Sequence, residues 1–267
     1  MMTLAPEDNA AATARADSPQ VTVVVPSYNQ GPYLEDALQS IEIQDVATEI
    51  IVMDGGSTDI SLAVLKRWSE RLAYWRSEPD GGQASAINEG IRRGTAPYVC
   101  WLNSDDKLEP GSLRALIKAL EDNPTAPAAY GNALNINSRG STSPVWVQPF
   151  SERRLRLRCI ISQPGTLIRR SAWEALDGLD PTLHFALDYD LWWRLYRSFG
   201  PLVHVPRILA VNRLHTDTKT RNNRAAHYAE AIGVVRRHHG SLPMKWWLAQ
   251  PYAVWWKALL AQLGDRK

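Results

Sequence analysis

The sequence predicts an α/β protein with a mostly parallel, Rossmann-like sheet, helices on both faces of the sheet, and a further helical segment at the C-terminus. Two observations support this fold class. Short apolar runs rich in Val and Ile alternate in the first half with longer runs of helical periodicity. Glycine and proline residues stand where one kind of run changes into the other. A β-α-β-α order favours parallel strands with helices packed on both sides.

Four strands and four helices alternate in the first half of the chain. The predicted strands are residues 21–25, 49–53, 72–76 and 99–102. The predicted helices are residues 32–41, 61–68, 81–94 and 110–124. The first helix has Leu34, Leu38 and Ile41 on one face, and Gly94 closes the third. The strands and helices predicted in this half therefore agree with the predicted α/β fold class.

Beyond about residue 130 the periodicity is weaker. Two short strands are predicted at residues 202–206 and 208–215, and a polar helix at residues 222–239. Before these two strands, the apolar residues of 188–199 have the spacing of a helix with one apolar face. That face comprises Leu191, Trp192, Leu195, Tyr196 and Phe199.

The chain of 267 residues is long enough for one sizeable core with a small appendage. We predict a disordered lead over residues 1–19, a domain over residues 20–216 with halves 20–125 and 126–216, and a Trp-rich helical tail over residues 217–267. The lead lacks the basic start and apolar core of a signal peptide. The sequence has no run of 18 uncharged apolar residues, so we expect no transmembrane helix.

Charge and cysteine content exclude several classes of protein. Thirty basic and 28 acidic residues give a net charge of +2, which argues against nucleic acid as a partner. The two cysteines are too few for a disulfide scaffold, and Cys100 lies within a strand candidate as a small buried apolar residue. We therefore expect a cytoplasmic protein.

Two adjacent carboxylates follow the fourth predicted strand. This strand runs directly into Asn103, Ser104, Asp105 and Asp106. Neighbouring carboxylates repel each other, and a Mg²⁺ or Mn²⁺ ion would offset that repulsion with oxygen ligands that such ions prefer. The alternative is a turn that leads into the next helix, since Asp favours both positions.

Similar polar turns follow the other strands at the edge where ligands bind in parallel sheets. Pro26, Ser27 and Tyr28 follow the first strand, Asp54 the second, and the loop from Asp80 to Gly82 the third. Asp-Gly is an ordinary turn dipeptide, and it equally suits a loop that approaches a ligand closely. Neither a Walker phosphate loop nor a dinucleotide-binding glycine fingerprint is present in the sequence.

Six blocks in this order resemble the family 2 glycosyltransferases of bacterial surface-glycan synthesis, which have the glycosyltransferase-A fold. The blocks are VVVPSYNQGPYLEDALQSI, EIIVMDGGSTD, EPDGGQASAINEGI, VCWLNSDDKLEPGSL, QPGTLIRRSAWEALDGLDPTLHFALDYDLWWRL and NRLH. Together they extend over about residues 20–216. The resemblance implies that residues 20–125 bind a nucleotide sugar and residues 126–216 bind the acceptor.

The resemblance also implies a nucleoside-diphosphate-sugar donor, usually linked to UDP. Asp54 would accept a hydrogen bond from the uracil N–H, and Asp80 would border the nucleoside. The residues implied in donor binding are Pro26, Ser27, Tyr28, Asp54, Asp80, Gly82, Asn103 and Asp105. Asp105, Asp106 and His215 match the positions that hold Mn²⁺ or Mg²⁺. Asn103 stands where the family often has a first acid, and the Asp-Asp pair remains.

The implied reaction is inverting transfer of a hexosyl or N-acetylhexosaminyl group to a glycan or polyprenyl-diphosphate-linked acceptor. Asp188 is our candidate general base, with Asp190 as the alternative. Leu187 replaces the family's usual first acid, so we expect no neighbouring carboxylate to raise the pKa of Asp188. The candidate acceptor-binding residues are Gln163, Asp190, Arg154 and Arg156.

Two other function classes remain open from the residues alone. A nucleotidyltransferase should have a basic residue in the loop after the first strand, and PSYNQGPY has none. A non-catalytic sugar-nucleotide-binding protein should lack the base, and both candidate aspartates are present.

The tail combines Trp with basic residues over residues 243–263. Trp246, Trp247, Trp255 and Trp256 lie close to Lys245 and Lys257. This composition suits a peripheral contact with a lipid interface, here the inner face of the cytoplasmic membrane, and is too polar to span it. The alternatives are a helix that caps the protein's own core, or a homodimer contact.

Overall fold

The computed structural model describes residues 18–215 and 223–256. Most of the predicted disordered lead and both ends of the predicted tail, residues 217–222 and 257–267, lie outside this part of the chain. The predicted division into segments therefore stays a prediction. No helix within the described residues combines the length and the apolar composition needed to cross a membrane.

Nine strands and nine helices make up the described fold. The strands are β1 (Val21–Ser27), β2 (Thr48–Asp54), β3 (Tyr74–Ser77), β4 (Tyr98–Trp101), β5 (Lys107–Leu108), β6 (Ala128–Asn137), β7 (Thr142–Pro144), β8 (Thr166–Arg169) and β9 (Val203–Leu214). The helices are α1 (Gly31–Glu42), α2 (Ser61–Trp68), α3 (Gln83–Arg93), α4 (Ser112–Glu121), α5 (Glu152–Leu155), α6 (Arg170–Ala175), α7 (Leu187–Phe199), α8 (Arg224–His239) and α9 (Met244–Gln250). A 3₁₀ turn, Gln163–Gly165, precedes β8, and a π-helical turn, Pro251–Trp256, follows α9.

The strands form one sheet in the order β3-β2-β1-β4-β8-β6-β9-β5, and β7 pairs with β6. The first four strands are parallel, as predicted. Their register aligns Ser27 with Asp54, and Asp54 with Ser77, at the carboxyl ends of β1, β2 and β3. Three polar residues thus form a row along the sheet edge.

The second half of the sheet is mixed, because β8 runs antiparallel to both β4 and β6. The two short strands predicted after residue 201 form one strand, β9, which is parallel to β6. The register shifts between Gly131 and Asn132, where β9 contains Pro206. Proline lacks the N–H that a sheet ladder needs, so it marks a bulge here and not the end of a strand.

Helices cover both faces of the sheet, as predicted. Val21, Val23 and Val25 of β1 pack on one side with α1, α2 and α4. Val24 packs on the other side with α3, α6, α7 and α8. This alternation follows from the period of two along a strand, and the strand is apolar throughout because both faces are buried.

The apolar face predicted for α7 is partly wrong. Leu191, Trp192 and Leu195 are fully buried, but Phe199 is exposed. Trp193, which lies outside the predicted face, is also fully buried. The reason is that α8 packs against a second side of α7, so the buried surface is wider than one stripe.

Candidate active site

The base of the cleft is the polar row at the ends of β1, β2 and β3. Asp54 is fully buried, and its Oδ2 accepts hydrogen bonds from Ser57 N at 2.9 Å and Ser77 Oγ at 2.7 Å. Its Oδ1 accepts from Ser57 Oγ at 2.6 Å. A carboxylate has about four acceptor positions. Asp54 is therefore held rigidly beneath Ser57 and Ser77.

Hydrogen bonds connect the loop after β1 to the loop after β2, next to this row. Gly55 N donates to Ser27 O at 2.9 Å, and Thr58 N donates to Asn29 Oδ1 at 2.9 Å. Asn29 has a φ of 52°, a left-handed conformation that Asn tolerates better than most residues. These bonds fix the loop after β1, which includes Tyr28, against the loop after β2. Pro26, predicted to follow the first strand, lies within β1 and pairs with Met53.

Tyr28, Gly55 and Asp80 meet at the mouth of the cleft. A Cβ on Gly55 would lie 3.4 Å from Tyr28 Cδ2 and 3.4 Å from Asp80 Oδ2. Asp80 Oδ1 accepts from Gly82 N at 2.8 Å, and Gly82 has a φ of 95° at the start of α3. Tyr28 is 63% exposed, so its ring is accessible to a ligand. The structure thus brings together the donor-binding candidates from three loops.

A side-chain network follows β4. Asn103 Oδ1 accepts from Gln83 Nε2 at 2.8 Å, and Asn103 Nδ2 donates to Asp106 Oδ2 at 3.1 Å. The same Nδ2 lies 3.4 Å from Gln163 Oε1, and Gln163 Nε2 donates to Trp101 O at 2.7 Å. An aspartate at position 103 would lack this donor and would add a third carboxylate. Asparagine at position 103 therefore avoids a third carboxylate beside Asp105 and Asp106.

The two adjacent carboxylates occupy different environments. Asp106 is buried, and its Oδ1 accepts from Arg213 N of β9 at 3.1 Å. Burial and the nearby charge of Asp105 raise the pKa of Asp106. The Asp105 side chain is partly exposed, and its Oδ2 lies 2.9 Å from His215 Nε2. The chain separates the pair by turning one carboxylate inward and the other towards His215.

Neighbouring side chains hold His215 in place. Its ring lies 4.9 Å from that of Tyr33. Arg213 Nε donates to Asp105 O at 3.2 Å, and Arg213 Nη2 donates to Asp36 Oδ2 at 2.9 Å. These contacts tie the end of β9 to α1 and to the loop after β4. The imidazole and the Asp105 carboxylate are therefore positioned before any ligand binds.

Asp105 and His215, two of the three predicted metal ligands, contact each other directly. The 2.9 Å between Asp105 Oδ2 and His215 Nε2 is the distance of a hydrogen bond or ion pair. In residues 18–215 and 223–256, no group of three or more His, Cys, Asp or Glu side chains could hold a metal. An ion at this pair would take its other ligands from substrate phosphates and water, as is usual for Mg²⁺.

Asp188 lies in the first turn of α7 and is half-buried. Its Oδ1 accepts from Tyr189 N at 2.7 Å. Burial raises the pKa of Asp188 to about 6. We expected no neighbouring carboxylate to raise this pKa, and burial does so instead. Burial and, after it, the charge of Asp188 raise the pKa of Cys159.

Asp190 lies on another side of α7, away from Asp188. Its Oδ2 accepts from Arg194 Nε at 2.7 Å, and its Oδ1 lies 2.7 Å from His238 Nε2 and 3.3 Å from Arg237 Nη1. Burial opposes ionisation, but the hydrogen bonds from His238 and Arg194 lower the pKa of Asp190 overall. Asp190 lines a separate cavity of about 670 Å³. Its carboxylate is committed to α8 and is not open to an acceptor.

The two candidate arginines do not share a face. Arg154, at the end of α5, is exposed and lies 3.4 Å from Pro149 O. Arg156 turns towards the C-terminal helices, where its Nη1 lies 3.1 Å from His239 Nε2. Residues 152–155 are helical, so these arginines do not line one face of an extended segment.

Sequence reasoning missed Glu230 of α8. Its carboxylate accepts hydrogen bonds from the backbone N–H groups of His184 at 3.0 Å, Phe185 at 2.7 Å and Ala186 at 3.0 Å. These groups directly precede α7, and Ala186 has no side chain to cap that helix. Glu230 therefore caps α7 two residues before Asp188. A single acid in a polar helix gave no signal of this contact.

Comparison with known sequences places these residues in a family. The model of the family described as Glycosyl transferase family 2 matches residues 22–175. Hyaluronan synthase of Pasteurella multocida is 27% identical over 227 residues, which cover 83% of this chain and 22% of that protein. Chondroitin synthase of P. multocida strain Pm70 is 29% identical over 211 residues, with 77% and 22% covered. The chain thus spans about a fifth of the length of both relatives.

Solved structures share the fold. S. aureus TarS residues 1–349 in complex with UDP-GlcNAc has a TM-score of 0.67 at 16% identity, covering 82% of this chain and 66% of that one. The mannosyltransferase PcManGT from Pyrobaculum calidifontis, in complex with GDP-Man and Mn²⁺, has a TM-score of 0.67 at 23% identity, covering 93% and 75%. The predicted fold class is confirmed by these likenesses.

Proposed function

The chain belongs to glycosyl transferase family 2 and is a glycosyltransferase of the glycosyltransferase-A fold, and we propose that it transfers a hexosyl or N-acetylhexosaminyl group from a UDP-sugar, with inversion, to an acceptor hydroxyl. The acceptor would be a glycan or a polyprenyl-diphosphate-linked saccharide. The observation that carries the proposal is the pairing of Asp105 with His215 at 2.9 Å beside the cleft. The family match favours this activity over nucleotidyl transfer or binding alone.

The donor nucleoside would lie between Tyr28 and Asp80, above the row at the sheet edge. Asp54 would accept from the N–H of uracil in exchange for one of the serine hydroxyls that cover its buried carboxylate. Gly55 carries no side chain that would keep a flat base away from its backbone. Gly82 and the start of α3 lie on the same side, where backbone N–H groups favour an anion such as a diphosphate. Neighbours in complex with UDP-GlcNAc and with GDP-Man support a nucleotide-sugar donor.

Asp105 and His215 would hold Mn²⁺ or Mg²⁺. Such an ion neutralises the charge that develops on the diphosphate as it leaves, which stabilises the transition state by several kcal/mol. Asp106 would act indirectly, since it holds the backbone of Arg213 two residues before His215. This division assigns the metal to Asp105 and a supporting role to Asp106.

Asp188 would remove the proton from the acceptor hydroxyl. With a pKa of about 6 it is mostly ionised at neutral pH and is still basic enough to share a proton in the transition state. A base on the face of the sugar opposite the leaving diphosphate produces inversion, as in inverting glycoside hydrolysis, where a carboxylate activates water. Gln163, held on Trp101 O beside Asn103, borders the same region.

The test is release of UDP from a panel of UDP-sugars in Mn²⁺, with and without glycan and lipid-linked acceptors. We expect acceptor-dependent release and a product of inverted anomeric configuration by NMR. Asp190→Asn is a matched control for Asp188→Asn, because both carboxylates lie in α7. A retained configuration, or transfer by Asp188→Asn at the normal rate, would refute the proposed mechanism.

A further inference from the structure

The C-terminal segment, α9 with the π-helical turn, is attached to the protein through Trp246 and Val254. Trp246 is 8% exposed, and its Nε1 donates to Arg156 O at 2.8 Å. The Tyr228 hydroxyl of α8 donates to Trp246 O. Val254 is buried as well. These contacts determine which side of the segment faces away from the core.

The outward side carries a stripe of large apolar side chains. Its members are Met244, Trp247, Leu248, Tyr252 and Trp256. Each is more than half exposed; Met244, Trp247 and Leu248, spaced three and four residues apart, share one side of α9, and Tyr252 and Trp256 follow in the π-helical turn. Thirteen large apolar residues are exposed in the described chain, and five of them lie within these 13 positions. Exposed apolar residues scattered singly are ordinary, but a contiguous stripe indicates a contact surface.

Two basic side chains, Arg236 and Lys245, lie beside this stripe, whereas Arg237 is paired with Asp180 and Asp190. The Arg236 guanidinium lies 5.5 Å above the Trp247 ring, and Lys245 adjoins Trp246 in α9. Residues 223–256 contain four Arg or Lys residues and one acid, Glu230. Glu230 is turned inward onto the backbone before α7. No carboxylate of this segment therefore opposes an anionic partner.

We propose that this stripe is a lipid-facing surface that lies on an anionic bilayer. Trp and Tyr favour the interfacial region, where a ring meets acyl chains and its polar edge meets headgroups. Basic side chains at the rim add attraction to anionic headgroups. A stripe of Met, Leu and Trp without a polar complement suits acyl chains better than a hydrogen-bonding protein partner. The inference does not depend on the reaction at the cleft.

The test uses the full chain in co-sedimentation with vesicles. One set contains phosphatidylglycerol and phosphatidylcholine, and the other contains phosphatidylcholine alone. We expect binding to the first set, weakened by salt. Trp247→Ser with Leu248→Ser should reduce the partition coefficient at least about tenfold, because two large side chains no longer enter the interface. Ile43→Ser, which removes an exposed apolar side chain at the end of α1, should bind as the unchanged chain does.

Circular dichroism and the UDP-release assay show whether the double variant is still folded and active. The double variant should retain the thermal midpoint of the unchanged chain, because both side chains point away from the core. Absence of binding by the unchanged chain to phosphatidylglycerol vesicles would overturn the proposal. A dimer in velocity sedimentation that the double variant dissociates, without vesicle binding, would instead identify a second copy as the occupant.

Discussion

The carboxylate of Asp188 lowers stability when it is ionised, and the same group is the proposed general base. Its pKa is raised from 3.8 to about 6 because burial disfavours the charged form. A raised pKa means that the folded state binds the proton more tightly than the unfolded state. The stabilising contribution of the neutral form is complete below pH 3.8 and is lost as the pH rises through about 6. At neutral pH the ionised base therefore destabilises the fold.

This leads to a prediction for Asp188→Asn. We expect kcat to fall by ~10²–10⁴-fold, with donor affinity nearly unchanged, because a positioned base contributes about that much. We also expect the free energy of unfolding at pH 7.5 to increase by roughly 1–3 kcal/mol, with no gain at pH 4. In the unchanged enzyme kcat should decline below about pH 6. Urea unfolding at both pH values and a pH–rate profile measure these effects.

The Asp190→Asn control should behave in the opposite way. The hydrogen bonds to His238 and Arg194 lower the pKa of Asp190, so its ionised form stabilises the fold above the unfolded pKa, and this contribution is lost as the pH falls. Asp190→Asn should lower stability at neutral pH and reduce kcat less. Equal kinetic losses in both variants would contradict the assignment of the base.

The pair Asp105 and Asp106 gives a second prediction at the residue scale. Asp105→Ala should abolish Mn²⁺ binding measured by calorimetry and should leave the thermal midpoint nearly unchanged. Asp106→Ala should weaken Mn²⁺ binding or turnover by only ~10–100-fold, as for groups that orient a ligand. It should also lower the free energy of unfolding by about 1–3 kcal/mol, because Arg213 N and the Asn103 amide lose a buried acceptor.

Excess chelator should stop turnover in the unchanged chain. A variant pattern in which Asp106→Ala alone removes the metal would reverse the two assignments.

The sequence predicted an ion at this pair but left open which acid would hold it. The answer depends on the direction of each side chain, which follows from the pairing of β5 and β9 with distant partners.

At the scale of elements, the sequence predicted the parallel half of the sheet well because β1, β2 and β4 each contain a run of buried apolar residues and each helix has one clear face. It did not reveal β6 and β8. In β6, Ala128–Asn137, apolar residues are mixed with small and polar ones. This segment is a strand because it pairs with β8 and β9, and its local composition does not predict one. Long-range pairing is the part that local periodicity does not encode.

Helix α3 shows how packing overrides local propensity. Gly90 lies inside the helix, where a Cβ would come within 2.6 Å of Val24 Cγ1 on β1. The glycine lets the helix approach the strand that positions Ser27. Gly233 in α8 has no atom within 4 Å of a Cβ position, and it is exposed. The two glycines thus form a matched pair.

We predict opposite effects of the same substitution at these two sites. Gly90→Ala should lower the free energy of unfolding by about 1–3 kcal/mol through overpacking, despite the better helix propensity of Ala. Gly233→Ala should raise it by up to ~1 kcal/mol, since only propensity changes. Chemical denaturation of both variants measures these differences. A stabilising Gly90→Ala would show that α3 can move away from β1 without loss.

At the scale of the whole molecule, α8 packs against α7, the helix that carries Asp188. The family match ends at residue 175, yet Asp188 lies beyond it, and the cap of its helix comes from Glu230. Arg156, Asp190 and Trp193 also contact α8. The sequence predicted a polar helix over residues 222–239, and polarity alone does not show which of these side chains face inward.

Glu230→Ala therefore tests whether the tail positions the base. The backbone N–H groups of His184, Phe185 and Ala186 would lose their acceptor, and the first turn of α7 would be held less firmly. We expect kcat to decrease by roughly tenfold or more, because a small displacement of a catalytic group has a large kinetic cost. The KM for the UDP-sugar should stay near normal, since β1 to β4 and their loops are not in contact with Glu230. Loss of the cap should lower the free energy of unfolding by ~0.5–2 kcal/mol.

Two variants separate positioning from a general loss of stability. Glu230→Gln keeps an acceptor oxygen in the same place, so it should restore much of the kcat that Glu230→Ala loses. Gly90→Ala should lose a comparable amount of stability through a different helix, and assays well below the melting temperature should leave its kcat nearly unchanged. If Glu230→Ala and Gly90→Ala reduce kcat equally, the loss reflects stability, and α8 does not position Asp188. If only Glu230→Ala reduces it, the base is held in place from a helix that lies outside the matched family region.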